Sequence, residues 1–313
     1  MSECAIGIDI GGSHVACGVV REDRLLASET IALTHASLTD LLPQLESRVR
    51  SLMVKVDVQV SALTGIAVGI CAVVDPSGSV AATNGKYDDG IGFNFSRWAH
   101  QVFGVRCVAE NDTRLALLGE ESAGAARGFK DVVLVTLGTG IGGAVLLGGK
   151  LLRSEGGRAG SLAGHLGVDW RGGICSCGNR GCAEAEASTS SLDGVCRGWM
   201  GFAGSMLSKH PERIDYRQLF AAGDEGDQVA LEVLDHSIAV WSALTVSIIH
   251  AYDPQVVIFG GGLMHRQEAI LPAIRDHVAR HAWVGSDRVA ILPGALGSNA
   301  ALLGALPLLR GGA

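Results

Sequence analysis

Two stretches of this chain follow one plan, and the repetition constrains the fold more than any other feature. Residues 5 to 20, AIGIDIGGSHVACGVV, run apolar, turn at Gly11-Gly12, and run apolar again; residues 132 to 147, VVLVTLGTGIGGAVLL, do the same around Gly138-Thr139-Gly140. Apolar runs on either side of a glycine turn are a hairpin signal. The chain has 313 residues, about twice the roughly 150 of a typical domain. It therefore reads as two related α/β halves, each opening on a glycine-turn hairpin.

Composition narrows the function classes. Hydrophobic residues make up 48% and charged residues 18%, with aromatics only 5%, so the interior is aliphatic and a disordered chain is excluded. Glycine, 44 of 313 residues, is about double the usual share without any Gly-X-Y period, so the glycines serve turns and close backbone approaches. The net charge is −7, and no run of five like charges occurs, which argues against a nucleic-acid partner. The most apolar stretch, 236 to 253, contains Ser, Thr and His250 and falls short of the ~20 residues of a membrane span; a buried helix is expected, with no membrane partner. Glu3 and Asp9 stand where a signal peptide would carry Lys or Arg, so a cytoplasmic location is expected. Eight cysteines in a chain this rich in core residues do not suggest a disulfide scaffold.

Between the hairpins the pattern predicts a helix near 38 to 53, a strand at Gly65 to Cys71, a turn at Asp75-Pro76-Ser77-Gly78, an irregular stretch through Asn84, a helix from Phe95 to Val102 and a strand at Val105 to Ala109. Asn111-Asp112 precedes LALLGEESAGAA, a helical run, which puts Asp112 at a helix N-terminus. Residues 153 to 188, rich in Gly, Cys and Ser, read as a loop held by something other than a core. Helices follow from Thr189 to Tyr252, then VVIF into Gly260-Gly261-Gly262, a helix from about Arg266, a strand VAIL and a last helix from Asn299 to Leu309.

Neither glycine turn is a P-loop. Gly138 to Gly143 fits G-x-G-x-x-G, but the dinucleotide motif needs a helix after it, and AVLLGGKLL reads as strand. A turn of small residues exposes consecutive N–H groups that bind anions, and two such turns could grip one polyphosphate. The plain alternative is that each turn only closes its hairpin. Asp112 likewise has two readings: a helix cap, or a carboxylate that accepts the proton of an attacking hydroxyl, with Asn111 orienting that hydroxyl. His165 with Cys175, Cys177 and Cys182 supplies one imidazole and three thiols, the ligand set of a closed, structural Cys3His zinc site. Unligated cysteines in a reducing compartment are the alternative.

Taken together these residues resemble the ROK family of sugar kinases, within the actin-like, hexokinase-type ATPase fold. Asp9-Ile-Gly-Gly-Ser13 is similar to the family's first phosphate motif and Leu137 to Gly143 to its second. Asp253 to Gly262 resembles the strand and glycines that contact adenosine, and Leu296 to Ala300 the start of the closing helix. Glu110-Asn111-Asp112 matches the catalytic segment, Gly164-His165 with the three cysteines matches the zinc motif, and Glu184 falls on a sugar-binding carboxylate. Some relatives are repressors with a DNA-binding module before the first phosphate motif. Here that motif starts by Asp9, so no such module is expected.

The resemblance implies two actin-like (ribonuclease H-like) α/β domains with an interdomain cleft. The first would span 1–118 and be completed by the C-terminal helix 299–313; the second, 119–298, would carry the zinc loop. It implies an ATP-dependent kinase acting on a hydroxyl of a hexose-like sugar or polyol, with Asp112 as general base. Asp9, Gly11, Gly12, Ser13, Gly138, Thr139, Gly140, Gly142, Gly261 and Gly262 would bind Mg-ATP. Asn84, Asn111, His165 and Glu184 would bind sugar, and a structural zinc and a homo-oligomer, first of all a dimer, are implied. A non-catalytic sugar or nucleotide sensor is the rival reading, and it predicts loss of Asp112. Two departures lie on the sugar side. Leu162 replaces a glutamate that binds sugar hydroxyls, for which Glu155, Asp88-Asp89 or water could substitute; Cys71-Ala72 replaces the usual Pro-Gly, and the Asn84 to Asp89 segment is unusual. These changes point to an acceptor such as an acylated amino sugar, ketose or cyclic polyol.

Overall fold

A computed structural model describes residues 3–33, 36–283 and 289–311. Strand β1 (Cys4–Ile10) turns through Gly11 to Ser13 into the antiparallel β2 (His14–Arg21), with Ile10 opposite Val15. The meander continues into β3 (Arg24–Ala32), antiparallel to β2. The sequence pattern does not reveal β3. Its turn carries no glycine but places Glu22 at φ 56°, and eight of its nine residues keep some solvent exposure, so no clean apolar alternation marks it.

Helix α1 (Leu38–Lys55) starts where Ser37 Oγ accepts the Asp40 N–H, and it buries Leu38, Leu41, Leu45, Val49 and Leu52, one face at steps of three and four. Strand β4 (Leu63–Ile70) lies parallel to β1. A small hairpin, β5 (Val73–Val74) and β6 (Val80–Ala82), brackets the Asp75 turn. Helix α2 (Phe95–Phe103) is capped by Asn94 and stopped by Gly104 in the left-handed region at φ 70°. Strand β7 (Cys107–Asn111) pairs parallel to β4, two residues further along than the apolar run suggests, and leads directly into α3 (Asp112–Ala123).

The second half repeats the plan with β8 (Val132–Leu137), β9 (Ile141–Leu147) and the short β10 (Lys150–Leu151). Residues 153 to 188 are not wholly irregular, because they end in α4 (Ala183–Ala187). Helices α5 (Thr189–Gly198), α6 (Tyr216–Asp224) and α7 (Gln228–Tyr252) follow, then β11 (Val256–Gly260), α8 (Gln267–His281) and β12 (Ala290–Pro293). The two sheets run β3-β2-β1-β4-β7 and β10-β9-β8-β11-β12. Counted by order of appearance within each sheet, the strands run third, second, first, fourth and fifth in both, with the β5–β6 hairpin of the first half outside its sheet, so the repeat extends from the hairpins to the whole sheets. Helix α7 is long and apolar enough to cross a membrane, but 56% of its most apolar window is buried in the protein.

The chain ends in α9 (Ala300–Leu303) and α10 (Ala305–Leu309), not in one continuous helix. A Cβ at Gly304 would lie 2.0 Å from the Leu115 carbonyl oxygen, and one at Gly119 1.9 Å from that of Ala300. Only glycine permits this approach, so two glycines seat the closing helices on α3. The Glu120 carboxylate, 2% exposed, adds to the seat by accepting the N–H groups of Ala295 and Leu296 at 3.1 and 3.0 Å. Two compact units result: residues 1–134, 143–161 and 294–313, and residues 135–142 and 162–293. Against boundaries drawn at 118 and 298, the first unit keeps all of α3 and gains 143–161. Residues 312 and 313 of the expected closing helix lie outside the described residues.

Candidate active site

In the first unit the parallel strands β1, β4 and β7 end at one edge of their sheet. Register puts Asp9 opposite Gly69, Ile10 opposite Ile70, and Ile70 opposite Asn111, which brings Asp9, Cys71 and Asn111-Asp112 to the same edge. Gly69 eases this approach, because a Cβ would crowd the Asp112 Cα at 3.2 Å and Leu115 Cδ2 at 3.0 Å. The start of α3 can thus press against the strand end.

The cap of α3 is Asn111, not Asp112. Asn111 Oδ1 accepts the N–H groups of Thr113 and Arg114 at 3.1 and 3.3 Å, while its Nδ2 donates to Asp112 Oδ1 at 3.0 Å. Asp112 Oδ1 also accepts the Thr113 N–H at 2.8 Å. Burial raises the Asp112 carboxyl above the usual carboxylate range, against the opposing pull of these Thr113 and Asn111 hydrogen bonds. Burial, and then the Asp112 charge, push Asp9 up to about 8. Two carboxylates at one strand edge with raised proton affinity suit a proton acceptor beside a cation-binding acid.

The Gly11 to Ser13 turn is held from the Asn84 to Asp89 segment. Tyr87, fully buried, donates from its hydroxyl to the Gly11 carbonyl at 3.0 Å, and Lys86 Nζ donates to the Gly12 carbonyl at 2.5 Å. The sequence points to Asn84, which is exposed, and does not single out Lys86 or Tyr87. Their only trace in the chain is a pair of long polar-tipped side chains in a loop otherwise made of Asn, Gly and Asp. Asp89 is committed elsewhere: its carboxylate accepts from Ser37 Oγ and from the Leu38 and Thr39 N–H groups. Burial raises its pKa, but the Thr39 and Leu38 N–H groups prevail and hold it at about 2. It anchors the start of α1.

In the second unit Gly138 to Gly142 form the other turn, closed by Gly138 N–H donating to the Gly140 carbonyl at 3.0 Å. The α4–α5 junction clamps it: the N–H groups of Thr189 and Ser190 donate to the Gly138 and Thr139 carbonyls at 3.1 and 2.9 Å. Glu184 Oε2 accepts the Ile141 N–H at 2.9 Å. A carboxylate expected from the resemblance to face sugar thus also holds the turn, a role that only tertiary contact reveals. At the end of β11, Gly261 has φ 88° and a Cβ there would lie 2.3 Å from the Leu137 carbonyl, so glycine alone lets the Gly261-Gly262 bend sit against β8.

His165, Cys175, Cys177 and Cys182 converge, their ligand atoms all within 4.8 Å of one another. His165 Nδ1 lies 3.5 Å from Cys175 Sγ, and the Cys177 and Cys182 sulfurs are 3.7 Å apart. A tetrahedron with Zn–S of about 2.3 Å and Zn–N of about 2.0 Å has edges of roughly 3.8 Å between sulfurs and roughly 3.5 Å from sulfur to nitrogen. The donor set suits zinc, and these two separations match the edges of such a site. Gly181, at φ 63° with a Cβ that would lie 1.5 Å from the Asp169 carbonyl, makes the convergence possible.

Fold and site define a class: a duplicated α/β chain with paired glycine turns and a carboxylate at a strand end, built for phosphoryl chemistry on a hydroxyl. More narrowly, the chain belongs to the ROK family, whose model matches residues 5–311. It is similar to the glucokinase of Thermotoga maritima, 29% identical over 97% of this chain and 96% of that one. It is equally similar, at 29% over 98% of both chains, to the N-acetylmannosamine kinase of Citrobacter koseri. A ROK family glucokinase from Streptomyces griseus, solved in complex with glucose and AMPPNP, matches with a TM-score of 0.83 and 29% identity over 99% of this chain and 100% of that one.

Proposed function

We propose that this chain is an ATP-dependent kinase that transfers the γ-phosphoryl group to a hydroxyl of a hexose-like sugar. The observation that carries the reading is Asp112, a carboxylate of raised proton affinity held by α3 at the strand edge it shares with Asp9 and the Gly11-Gly12 turn. Its retention disfavours a non-catalytic sensor. Asp112 takes the hydroxyl proton as the oxygen attacks the γ-phosphorus, the bond to the bridging oxygen breaks, and ADP leaves. Asn111 Oδ1 caps α3 and its Nδ2 donates to Asp112, so Asn111 orients the base beside the sugar hydroxyl. In each unit, the N–H groups that a glycine turn does not use on itself would bind phosphate, those of Gly12 and Ser13 in the first and of Thr139, Gly140 and Gly142 in the second, with Gly11 and Gly138 shaping the turns and Gly261-Gly262 contacting adenosine. Asp9 would hold Mg2+, which supplies charge neutralisation when bound. His165 and Glu184 order the sugar side, with Asn84 at its rim. A coupled ADP-release assay over a panel of sugars and polyols tests the reading, and no acceptor-dependent ADP release would defeat it.

A zinc in the Cys3His site would be structural, since four protein ligands leave no open position. Through Ala183 N–H donating to the Leu166 carbonyl and Glu184 holding Ile141, order in this loop supports the second glycine turn. Purified protein should carry about one zinc per chain, and Cys177→Ser should lose most of it along with activity. Active protein free of zinc by elemental analysis ends this claim.

The acceptor differs from glucose in this reading. Leu162, 39% exposed, stands three residues before His165. A sugar hydroxyl buried against it loses about 1–3 kcal/mol, roughly 5- to 150-fold in binding. Glucose should be a poor substrate and a deoxy or acyl-bearing sugar a better one, with Leu162→Glu shifting preference toward glucose. Unchanged preference in that variant removes position 162 from specificity.

A further inference from the structure

Lys86 reaches the first glycine turn from a segment 74 residues away. Its ammonium sits so close over Gly12 that a Cβ there would lie 2.5 Å from Nζ, while the Gly12 carbonyl takes only one of its three N–H donors. The segment is fixed for this placement. Tyr87 holds a left-handed backbone at φ 57°, a conformation unusual for a bulky side chain, while its hydroxyl is tied to the Gly11 carbonyl and its N–H donates to the Ala36 carbonyl at 3.3 Å. Asp89 locks the far end of the segment onto α1. The Lys86 charge also reaches the strand edge. Burial pushes the Cys71 thiol up to about 12, Asp112 adds to this, and Lys86 opposes both.

A site of two carboxylates that must receive a polyphosphate needs positive charge, and turn N–H groups supply only partial charges. We infer that Lys86 is a catalytic residue whose ammonium, anchored on the Gly12 carbonyl, contacts the γ-phosphoryl group and stabilises its charge during transfer. The inference rests on the kinase reading above and adds to it a group that neither glycine turn contains. The one donor anchored on the Gly12 carbonyl sets the ammonium at the phosphate turn, which favours the transferred group over the sugar as its partner.

The test compares wild type with Lys86→Met, which keeps the aliphatic stem, and Lys86→Arg, which keeps the charge. With Mg2+ present, Lys86→Met should lower kcat/KM for ATP by about a hundredfold or more, the low end for losing one donor to a developing charge. KM for the sugar should stay within about twofold. By calorimetry, affinity for AMPPNP should fall while that for ADP and AMP holds, and Lys86→Arg should recover part of the rate. The inference is overturned by kcat/KM within about threefold of wild type, by a change confined to the sugar KM, or by equal loss of AMPPNP and AMP affinity, which marks a collapsed turn. Failure of the kinase reading would show separately, as no AMPPNP binding by the unmodified chain, and would take this inference with it.

Discussion

Asp112→Asn lowers turnover by about 10² or more, the loss expected when a positioned general base is removed, equivalent to about 2.7 kcal/mol on the barrier. The fold should hardly notice. Asn111 supplies the cap of α3, and an asparagine at 112 can still accept the Thr113 N–H through its own Oδ1. What it cannot do is take a proton. Nucleotide affinity should persist, because the Gly11-Gly12 turn is held by Lys86 and Tyr87 and not by Asp112.

The pH profile gives a second readout. Burial raises the Asp112 pKa, and a base works only when deprotonated, so wild-type rate falls as pH drops through that raised value. The residual rate of Asp112→Asn should lack this acid limb. Steady-state kinetics with the best sugar of the panel, across pH, check both points. More than half of wild-type turnover in the variant would mean that Asp112 only packs the start of α3.

Glu110→Ala should cost about 3–5 kcal/mol of folding stability, because it strands a buried charge. Arg114 is 1% exposed and its Nη1 donates to Glu110 Oε1 at 3.0 Å, while Nη2 serves the Leu152 and Ala159 carbonyls, the former at 3.0 Å. Arg114 Nε is already buried without a partner, so the guanidinium has no spare hydrogen bonding to fall back on. Glu110 also takes Arg153 Nε at 2.9 Å and the Asn111 N–H at 2.9 Å. One carboxylate thus ties the end of β7, the first turn of α3 and the 152–159 segment together, directly behind Asn111-Asp112.

A loss of that size is a large part of the usual 5–15 kcal/mol of a folded protein. Chemical denaturation should show it as a lower midpoint, with Glu110→Gln falling between the variant and wild type since one acceptor remains. A change under about 1 kcal/mol, the worth of an exposed pair, would show that water reaches Arg114.

Local chemistry is what made parts of the site legible. Asp9-Ile-Gly-Gly and Gly138-Thr-Gly are turns whose residues and neighbours lie within a few positions of one another, so strand, turn and strand can be read from one short window. The four metal-type ligands fall within 18 residues, 165 to 182, and their softness names the ion class. Lys86, Tyr87 and Glu120 were not legible, because the partners that set their roles, Gly12, Gly11 and Ala295-Leu296, lie 74, 76 and 175 or more residues away. Nothing in the chain near a lysine says which distant carbonyl it will meet.

The amino-acid sequence by itself determined the duplicated α/β plan, the glycine turns, the acid at the start of α3 and the Cys3His cluster. Each of these depends on covalent spacing, backbone freedom or donor type. Tertiary structure decided that Asn111 and not Asp112 caps α3, that Glu184 holds the second turn and Asp89 anchors α1, and that Lys86 stands over Gly12. It also broke the closing helix at Gly304 where α3 comes within contact of its backbone. The physical reason is the same throughout: whether a polar side chain caps, anchors or stays available for chemistry depends on which buried N–H and C=O groups the packed fold brings to it, and those come from elsewhere in the chain.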